Sequence, residues 1–305
     1  MEKKIIILGS EGFIGKSFVN YYERLDDSNI KLYFIDIVPI KKNNYYNVNA
    51  TDFEKINKII QKIKPEEIFN FSGSFTNIFN TDYQNNVIAT KNIFESVLQN
   101  GLEECKILIN GSAAEYGLIQ KEDYIIDEDY PLNPISFYGL SKVFQTYLAK
   151  TYFLREDINV YITRPFNIIG YGISSKLFIG RLINEIKLNL KEKRKITLGN
   201  LNNERDYIDI EDLINAYVKI IHEGIPGEIY NIGSQCSIKT QNLLTKFMEI
   251  FEIDKNNIEI NKNLSSKFDV PKIIADNTKL KELGWINKIS LENSIQKIKS
   301  SILDL

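Results

Sequence analysis

The stretch Ile5-Ile-Ile-Leu-Gly9-Ser-Glu-Gly12-Phe-Ile-Gly15 sets a short apolar run directly before three spaced glycines. The run predicts a buried strand over 4–8, and the residues after it predict a helix over 13–25. Glycines in a strand-to-helix turn allow a tight bend and close approach of a phosphate, and the helix N-terminus favours negative charge. This stretch therefore predicts a dinucleotide-binding βαβ unit.

The same alternation of strands and helices continues through the first half of the chain. We predict strands at 31–37, 67–72, 106–111 and 159–164, and helices at 52–63, 82–100 and 137–155. Apolar strands that alternate with helices indicate a parallel sheet that is covered on both faces. The fold class is therefore predicted as α/β, with a doubly wound Rossmann sheet.

The regular alternation of predicted strands and helices ends after Arg164-Pro165. We predict helices at 177–192, 209–223 and 239–251, and strands at 195–198 and 228–232. These elements predict a smaller, interleaved C-terminal α/β domain that covers the carboxyl edge of the sheet. We expect the dinucleotide-binding domain to comprise 1–165 plus about 204–235, and the substrate-binding domain about 166–203 plus 236–305.

Composition argues against several classes of protein. The 305 residues include 38 basic and 40 acidic ones, and the net charge of −2 favours neither nucleic acid nor an anionic membrane surface. With 2 cysteines, no CxxC spacing and 1 histidine, neither a disulfide framework nor a metal site is expected. The first apolar run is too short for a signal peptide or a membrane span. We expect a soluble, cytoplasmic protein.

A second group of residues lies near the middle of the chain. In Tyr138-Gly-Leu-Ser-Lys142 the phenol and the amine are one helical turn apart, which places them on one helix face. The ammonium would favour the phenolate, so that Tyr138 could move protons near neutral pH. Ser112 follows the strand predicted at 106–111. Together with a dinucleotide, these residues predict a hydride-transfer site.

The acidic residue Asp36 ends the second predicted strand, where a carboxylate can accept hydrogen bonds from the ribose hydroxyls of a dinucleotide. This position favours NAD over NADP. A rival interpretation is a phosphate loop, because Ser10-Glu-Gly-Phe-Ile-Gly-Lys16-Ser17 differs from GxxxxGKS in its first residue. An NTPase would place Lys16 and Ser17 on phosphate and magnesium, and would need an acidic ligand after a later strand. The strand at 67–72 supplies none, so the dinucleotide is favoured.

The glycine fingerprint, taken with Ser112, Tyr138 and Lys142, resembles the extended short-chain dehydrogenase/reductase family, also called the NAD-dependent epimerase/dehydratase family. The resemblance covers nearly the whole chain. It implies that Tyr138 is the acid/base at a sugar hydroxyl, that Lys142 binds the nicotinamide ribose and lowers the tyrosine pKa, and that Ser112 hydrogen-bonds the reacting oxygen. Members mostly act on nucleotide sugars and commonly pair through two helices, which implies a homodimer or homotetramer.

The resemblance also implies binding residues. For NAD they are Gly9, Glu11, Gly12, Phe13, Ile14, Gly15, Asp36, Asp52, Phe71, Ser72, Gly73, Asn86, Tyr138 and Lys142. For a nucleotide-diphosphate sugar they are Ser74, Asn167, Leu177, Arg181 and Arg205. Asn167 and Arg205 are expected near the diphosphate, where a guanidinium can bind two oxygens at once. Asp209 and Asp212 are interpreted as helix caps or helix-start carboxylates rather than ligands.

Within the family, several runs resemble the GDP-4-keto-6-deoxy-D-mannose reductases and related GDP-heptose C4 oxidoreductases. They are Gly111-Ser-Ala-Ala-Glu-Tyr-Gly117, Arg164-Pro-Phe-Asn167 and Leu198-Gly-Asn-Leu201. This implies a 4-dehydrogenase or 4-keto reductase for a GDP-linked sugar, in surface-polysaccharide sugar biosynthesis. The alternatives are a UDP-glucose 4-epimerase-like enzyme and a non-enzymatic NAD-binding scaffold or sensor. One departure, Ile168-Ile-Gly-Tyr-Gly172 in place of a His-Thr-Gly-Pro-Gly-like stretch, lies in the expected substrate pocket.

An absence narrows the reaction further. The 4,6-dehydratases of this family carry a Glu, often after an Asp, just beyond the catalytic Ser or Thr. Those positions are Ala113 and Ala114 here, and Glu115 comes one place later. A single-residue offset at a strand end turns a side chain away from its neighbour's direction. Dehydration is therefore disfavoured.

Overall fold

The structure is a computed structural model that describes residues 2–120, 124–261 and 270–303. Its first half contains strands β1 (Lys3–Leu8), β2 (Ile30–Asp36), β3 (Tyr45–Asn47), β4 (Glu67–Asn70), β5 (Lys106–Asn110) and β6 (Ile125–Ile126). The helices there are α1 (Phe13–Leu25), α2 (Phe53–Ile63), α3 (Phe79–Asp82), α4 (Ala89–Gln99) and α5 (Phe137–Glu156). A π-helical segment, Tyr83–Ile88, joins α3 to α4, and Ala113–Glu115 forms a 3₁₀ turn.

The second half mixes shorter elements. Its strands are β7 (Val160–Pro165), β8 (Asn167–Ile169), β9 (Ile196–Leu198), β10 (Glu204–Asp209), β11 (Ile229–Ile232), β12 (Ser237–Lys239), β13 (Ile258–Ile260) and β14 (Lys272–Ala275). Its helices are α6 (Phe178–Glu192), α7 (Ile210–Glu223), α8 (Thr240–Phe251), α9 (Thr278–Glu282) and α10 (Leu291–Leu303). None of the helices in the described residues is both long and apolar enough to pass through a lipid bilayer.

The central layer is a seven-stranded sheet in the order β3-β2-β1-β4-β5-β7-β11, with every pairing parallel. This arrangement confirms the predicted fold class. The chain runs outward from β1 in one direction and from β4 in the other, so the order reverses between these two strands. Ligands of open α/β sheets bind in the crevice at such a reversal, outside the carboxyl ends of the strands.

Both faces of the sheet are buried, which explains why β1 is apolar throughout. Ile6 and Leu8 point into one core, which includes side chains of α2, α4 and α5. Ile5 and Ile7 point into the other, which includes side chains of α1 and α7. Because successive strand residues face opposite sides, a strand buried on both faces needs an unbroken apolar run.

A smaller sheet lies beside the large one. Its order is β12-β10-β14-β6, and β8 pairs with the last part of β10. In that pairing Asn167 lies opposite Tyr207, while Arg205 pairs with β12 and β14. A separate core formed by side chains of α6, α8 and α10 supports this part of the chain. The strand β10 thus brings the segments around residues 167 and 205 together.

The predicted strands and helices are confirmed with small shifts at their ends, but some elements were not predicted. Seven short strands were missed, namely β3, β6, β8, β10, β12, β13 and β14. The helix predicted at 82–100 begins earlier and contains the π-helical segment. The chain also crosses between its two parts more often than the two domain ranges anticipate. β6 pairs with β14 in the smaller sheet, and Leu280 and Trp285 pack in a core of the large sheet.

A buried ion pair joins the turn after β5 to the end of β7. Nε of Arg164 lies 2.9 Å from Oε2 of Glu115, and the two side chains are 2% and 0% exposed. The guanidinium also donates to the hydroxyl of Tyr116 at 3.1 Å and to the carbonyl of Glu128 at 3.0 Å. Burial raises the pKa of Glu115, and the charge of Arg164 opposes this rise.

Replacing Arg164 with Met should destabilise the protein by about 3–5 kcal/mol, because Glu115 then stays buried without its cation. Removal of an exposed pair is the control: Lys31→Met breaks the contact with Glu2, 3.4 Å long between half-exposed side chains, and should cost less than about 1 kcal/mol. Urea unfolding measures both free energies. Equal losses would contradict the stabilising role of the buried pair.

Candidate active site

A cavity of about 640 Å³ lies where the loops after β1, β4, β5 and β7 meet the segments around α6, β10 and β14. This is the crevice expected from the reversal of strand order. The cavity is lined by many of the residues that the sequence predicted for the site. They are Gly12, Phe13, Ile14, Gly15, Phe71, Gly73, Ser112, Tyr138, Asn167, Leu177 and Arg205.

Two glycines of the turn after β1, Gly9 and Gly15, have no room for a Cβ. Gly9 has a φ of +74°, and a Cβ there would lie 2.7 Å from the backbone of Phe71. A Cβ on Gly15 would lie 2.0 Å from the carbonyl oxygen of Gly9. The hydroxyl of Ser10 is buried and has no hydrogen-bond partner among the described residues. A narrow turn with an unsatisfied hydroxyl at a helix N-terminus fits the pyrophosphate of a dinucleotide.

The carboxylate of Asp36 is fixed beside this turn. Its Oδ2 accepts a hydrogen bond from the N–H of Glu11 at 2.9 Å, and its Oδ1 accepts one from the N–H of Val38 at 3.0 Å. Each carboxylate oxygen has a further lone pair, so ribose hydroxyls could still bind. The roles of a phosphate loop are not supported, because Lys16 is exposed and pairs with Glu11, and Ser17 donates to the carbonyl of Phe13.

The structure brings Ser112, Tyr138 and Lys142 together. Ser136 begins α5 by accepting the N–H of Gly139 at 2.9 Å. Lys142 lies one helical turn after Tyr138. Its buried Nζ donates to the carbonyl of Asn110 at 2.7 Å and to Oε1 of Gln145 at 2.9 Å. This nitrogen lies 5.9 Å from the centre of the Tyr138 ring. Tyr138 and Ser112 both line the cavity, and the Ser112 hydroxyl is near enough to the phenol to lower its pKa.

The proton equilibria of Tyr138 and Lys142 are shifted mainly by burial. Burial raises the pKa of Tyr138 to about 12; the hydrogen bond with Ser112 lowers it, and the charges of Glu115 and Asp82 raise it. Burial also lowers the pKa of Lys142 to about 8. Burial is thus the largest influence on the pKa of Tyr138 in the protein alone. The expected lowering of this pKa by the Lys142 ammonium stays a prediction. At pH 7 the phenol is protonated and the amine is charged.

The position of Ser112 is set by a capping box. The N–H of Ser112 donates to Oε1 of Glu115 at 2.9 Å, and the hydroxyl of Ser112 accepts the N–H of Ala114 at 3.1 Å. Glu115 points into the core, where it also accepts from Thr146 at 2.8 Å. Ala113 and Ala114 line the cavity. The Glu115 side chain therefore points away from the cavity that Ala113 and Ala114 line, as predicted. The local element is a 3₁₀ turn rather than a strand end.

Asn86 and Ser72, predicted to contact the cofactor, hold the loop that follows β4. The amide nitrogen of Asn86 donates to the carbonyl of Ser74 at 3.1 Å, and its oxygen accepts the N–H of Ser74 at 2.8 Å. Ser72 donates to Oδ1 of Asn70 through its hydroxyl and its N–H. Gly73 is required here, because a Cβ would lie 2.5 Å from the oxygen of Asn86. These contacts shape the cavity wall around Gly73.

Two other predicted residues lie apart from the cavity lining. Asp52 caps α2 by accepting the N–H of Lys55 at 3.2 Å, and it pairs with the ammonium of Lys55 at 2.8 Å. These hydrogen bonds lower the pKa of Asp52. Arg181 lies in the first turn of α6 and is half-buried. Their assigned contacts with cofactor and substrate stay predictions.

Asp209 and Asp212, which were interpreted as structural carboxylates, both accept hydrogen bonds from backbone N–H groups. Asp209 caps α7 and accepts the N–H of Glu211 at 2.8 Å, as predicted. Asp212 accepts the N–H groups of Lys288 and Ile289 at 2.9 and 2.8 Å. It thereby fixes the segment before α10 rather than a helix end.

The sequence interpretation missed several cavity residues. The clearest is Phe75, whose ring lies edge-on to Tyr138 with centroids 4.9 Å apart and planes at 78°. Others include Asn110, Ser136, Phe166, Tyr207 and Ile273. Phe75 and Asn110 each lie within two residues of predicted site residues, so extending the loops after β4 and β5 would have found them.

This fold and site define an extended short-chain dehydrogenase/reductase. Residues 6–298 match the model of the family described as GDP-mannose 4,6 dehydratase, and the chain belongs to this family. The family and the relatives of this chain are NAD-dependent nucleotide-sugar enzymes, so the chain is an enzyme of that class. The interpretations as an NTPase and as a non-enzymatic scaffold are wrong.

Individual relatives differ in activity. The chain is 25% identical over 282 residues to the GDP-6-deoxy-D-talose 4-dehydrogenase of Aggregatibacter actinomycetemcomitans, covering 91% of this chain and 90% of that protein. Two solved structures share the fold over 99% of both chains. They are RMD from Pseudomonas aeruginosa complexed with NADPH, at a TM-score of 0.85 and 21% identity, and the UDP-glucose 4-epimerase of Thermotoga maritima with UDP-glucose, at 0.87 and 22%.

Two glycine variants should separate folding from dinucleotide binding. Gly15→Ala should unfold the turn, because its Cβ meets backbone atoms of Gly9 and Ser10 at 2.0 and 2.8 Å. Gly12→Ala meets only the carbonyl of Gly9 at 3.3 Å, so it should fold but weaken binding at the cavity that Gly12 lines. Thermal melts and calorimetric titration with NAD measure the two effects. Normal NAD affinity in folded Gly12→Ala would argue against this position for the pyrophosphate.

Proposed function

We propose that the protein is an NAD(H)-dependent oxidoreductase acting at C4 of a GDP-linked sugar, of the GDP-6-deoxymannose or GDP-manno-heptose type. One observation carries the proposal: Ser112 and Tyr138, with Lys142 behind them, face a cavity whose neighbouring positions are Ala113 and Ala114. The acid/base Tyr138 thus faces the cavity, whereas the carboxyl groups that the family resemblance associates with dehydration are absent from positions 113 and 114. The likeness to a GDP-6-deoxy-D-talose 4-dehydrogenase supports this substrate class.

In the proposed reaction the C4 oxygen of the sugar is bound between Tyr138 and Ser112. During oxidation Tyr138 takes the hydroxyl proton while the C4–H bond breaks with its electron pair and the C4=O bond forms. The nicotinamide, when bound, supplies the acceptor for this hydride, or its donor in the reverse direction. During reduction Tyr138 returns the proton to the C4 oxygen, and the Ser112 hydroxyl stabilises the charge that develops on the tyrosine.

Lys142 is proposed to act through its charge and its remaining hydrogen. An ammonium has three donors, and two of them are used on Asn110 and Gln145. The third is available for a nicotinamide ribose hydroxyl. The two observed bonds also fix the nitrogen in place, so its charge favours the phenolate without any rearrangement during the reaction.

For the diphosphate we propose Asn167 and Arg205, which both line the cavity. Asn167 donates to the carbonyl of Asp206 at 3.3 Å, and Arg205 donates to the carbonyl of Glu204 at 2.9 Å. Both side chains are therefore held by carbonyl groups of β10. Ser74, Leu177 and Arg181 complete the proposed substrate set.

We also propose a homodimer or homotetramer that forms through α5 and the helices around α3 and α4. The outer face of α5 exposes large hydrophobic side chains, which are costly to leave in water. They are Phe137, Phe144, Tyr147 and Leu154, at 51%, 38%, 58% and 75% exposure. A second copy of the chain would cover them.

A 4-epimerase is the second candidate, because epimerisation needs no side chain beyond Ser112, Tyr138 and Lys142. In that reaction the same cofactor takes the hydride and returns it to the other face of C4. The observed site therefore accommodates epimerisation as well as net oxidation or reduction at C4. The mass of the product distinguishes the two kinds of reaction.

Incubation with GDP-6-deoxy-D-talose and NAD should give a product lighter by two hydrogens, with one NADH formed per sugar. Tyr138→Phe should reduce turnover by at least about 10³-fold, since the proton of the C4 hydroxyl then has no acceptor. Nucleotide-sugar affinity should stay within about threefold of wild type. Mass spectrometry and absorbance at the NADH band follow the reaction. A product of unchanged mass would instead establish the epimerase, and a fully active Tyr138→Phe would refute the site assignment.

The carboxylate of Asp36 should set the cofactor preference. It should repel the 2′-phosphate of NADP, so NAD should bind at least about tenfold more tightly, which corresponds to about 1.4 kcal/mol. Asp36→Asn should reduce the ratio of the NADP Kd to the NAD Kd. Asp27, which accepts the N–H of Asn29 in a surface turn, provides the control: Asp27→Asn should leave the ratio unchanged. A wild-type preference for NADPH would contradict the role of Asp36.

A further inference from the structure

The loop between β4 and α3 is built around one buried carboxylate. Asp82 is 0% exposed and accepts hydrogen bonds from the hydroxyl of Ser74 at 2.8 Å and from the N–H of Asn77 at 2.7 Å. It accepts two more from Thr76, through the N–H and the hydroxyl, both at 2.9 Å. No cation pairs with Asp82 within the described ranges. Its charge is therefore stabilised by this loop, residues 74–77, which it orders in return.

Loop 74–77 contacts α5, the helix that carries Tyr138 and Lys142, at two places. The side-chain oxygen of Asn77 accepts the N–H of Phe137, the first residue of α5, at 2.8 Å. The first N–H groups of a helix have no partner within the helix, so this bond fixes the start of α5. The ring of Phe75 packs edge-on against Tyr138, the second residue of α5. The position of the phenol therefore depends on loop 74–77.

The helical segment that carries Asp82 is itself irregular. Asp82 ends α3, and the π-helical segment that follows carries Asn86. Asn86 binds both backbone groups of Ser74 and donates to the hydroxyl of Ser141 on α5 at 2.8 Å. Short π-helical segments occur frequently at functional sites. Here α3 and the π-helical segment each direct one polar side chain, Asp82 and Asn86, at the same loop.

We propose that Asp82 is a positioning residue for Tyr138, acting through loop 74–77 on the ring of Phe75 and on the first turn of α5. The inference rests on the proposed function, in which Tyr138 exchanges a proton with the C4 oxygen. Displacement of a reacting group by about 1 Å can cost on the order of 10² in rate. Loss of the Asp82 contacts should therefore act mainly on kcat.

Asp82 also has an electrostatic effect that a merely structural residue would lack. The polar and charged groups around Tyr138 are Ser112, Glu115, Asp82, Lys142 and Tyr217. The negative charge of Asp82 raises the pKa of Tyr138. Neutralising Asp82 lowers this pKa, so the phenolate that oxidation requires forms at lower pH.

The main test is Asp82→Asn, which keeps the size of the side chain but turns an NH₂ group toward the N–H of Asn77. We expect kcat for oxidation of GDP-6-deoxy-D-talose to fall about 10- to 100-fold. The KM for the sugar and the Kd for NAD should stay within about threefold of wild type. The acid limb of the kcat/KM profile should move to lower pH.

A second variant tests the contact without changing the charge. Asn77 has a φ of +60°, which glycine adopts without strain, and the side chain is exposed. Asn77→Gly should therefore fold, lose the bond to Phe137 and lower kcat, with no shift of the pH profile. Where Asp82→Asn fails to fold, this variant still tests whether loop 74–77 positions the first turn of α5: wild-type kcat in Asn77→Gly would overturn the proposal.

The matched control is Asp212→Asn. Asp212 is 1% exposed and, like Asp82, accepts backbone N–H groups from a connecting segment, those of Lys288 and Ile289. It does not line the cavity, so its variant should lose stability without losing kcat. Melting temperatures of all variants are measured in parallel, and kinetics are recorded well below them.

The outcomes separate this inference from the proposed function. If Tyr138→Phe is inactive while Asp82→Asn and Asn77→Gly turn over like wild type, the positioning role is overturned and the proposed function stands. If Tyr138→Phe keeps full activity, the proposed function itself fails. If Asp82→Asn and Asn77→Gly lose kcat and Asp212→Asn does not, Asp82 is established as a positioning residue.

Discussion

The turns after β1 and β4 touch each other backbone to backbone, and the cavity depends on this approach. A side chain at Gly9 would collide with Phe71, so the two loops can meet only because the first contains glycine. The loop after β4 continues to Ser74, which Asn86 and Asp82 hold, and then to Asn77, which binds the start of α5. A continuous path of contacts therefore leads from the glycine turn after β1 to α5, the helix that carries Tyr138.

Desolvation, rather than the lysine charge, governs the proton on Tyr138 in the protein alone. The buried carboxylates Glu115 and Asp82 help to keep Lys142 charged, which partly offsets the cost of burying its ammonium. The same charges oppose formation of the phenolate. The site thus holds its proton on the phenol at neutral pH, which suits donation to a ketone. Oxidation requires a bound group that favours the phenolate.

The regular part of the fold could be predicted from sequence because each buried parallel strand needs an unbroken apolar run and each crossover needs a helix. Ser112, Tyr138 and Lys142 could be placed for the same reason, since they follow predicted strands or lie on a predicted helix. β10 was missed because Glu204–Asp209 is rich in charged residues. The π-helical segment has no periodicity that distinguishes it from an α-helix over one turn. The bond between Asn77 and Phe137 joins distant segments, which local patterns do not report.

The packing of Leu280 and Trp285 has a consequence for the making of this protein. Both side chains lie in the core that α1 and α7 share with the large sheet, and the indole N–H donates to the carbonyl of Asp212 at 3.2 Å. During synthesis α1, the large sheet and α7 leave the ribosome before Leu280 and Trp285. The apolar surface of α1 and α7 that these two side chains cover is then incompletely buried until they are made. Truncation ahead of Leu280 would expose the same surface permanently and favour aggregation.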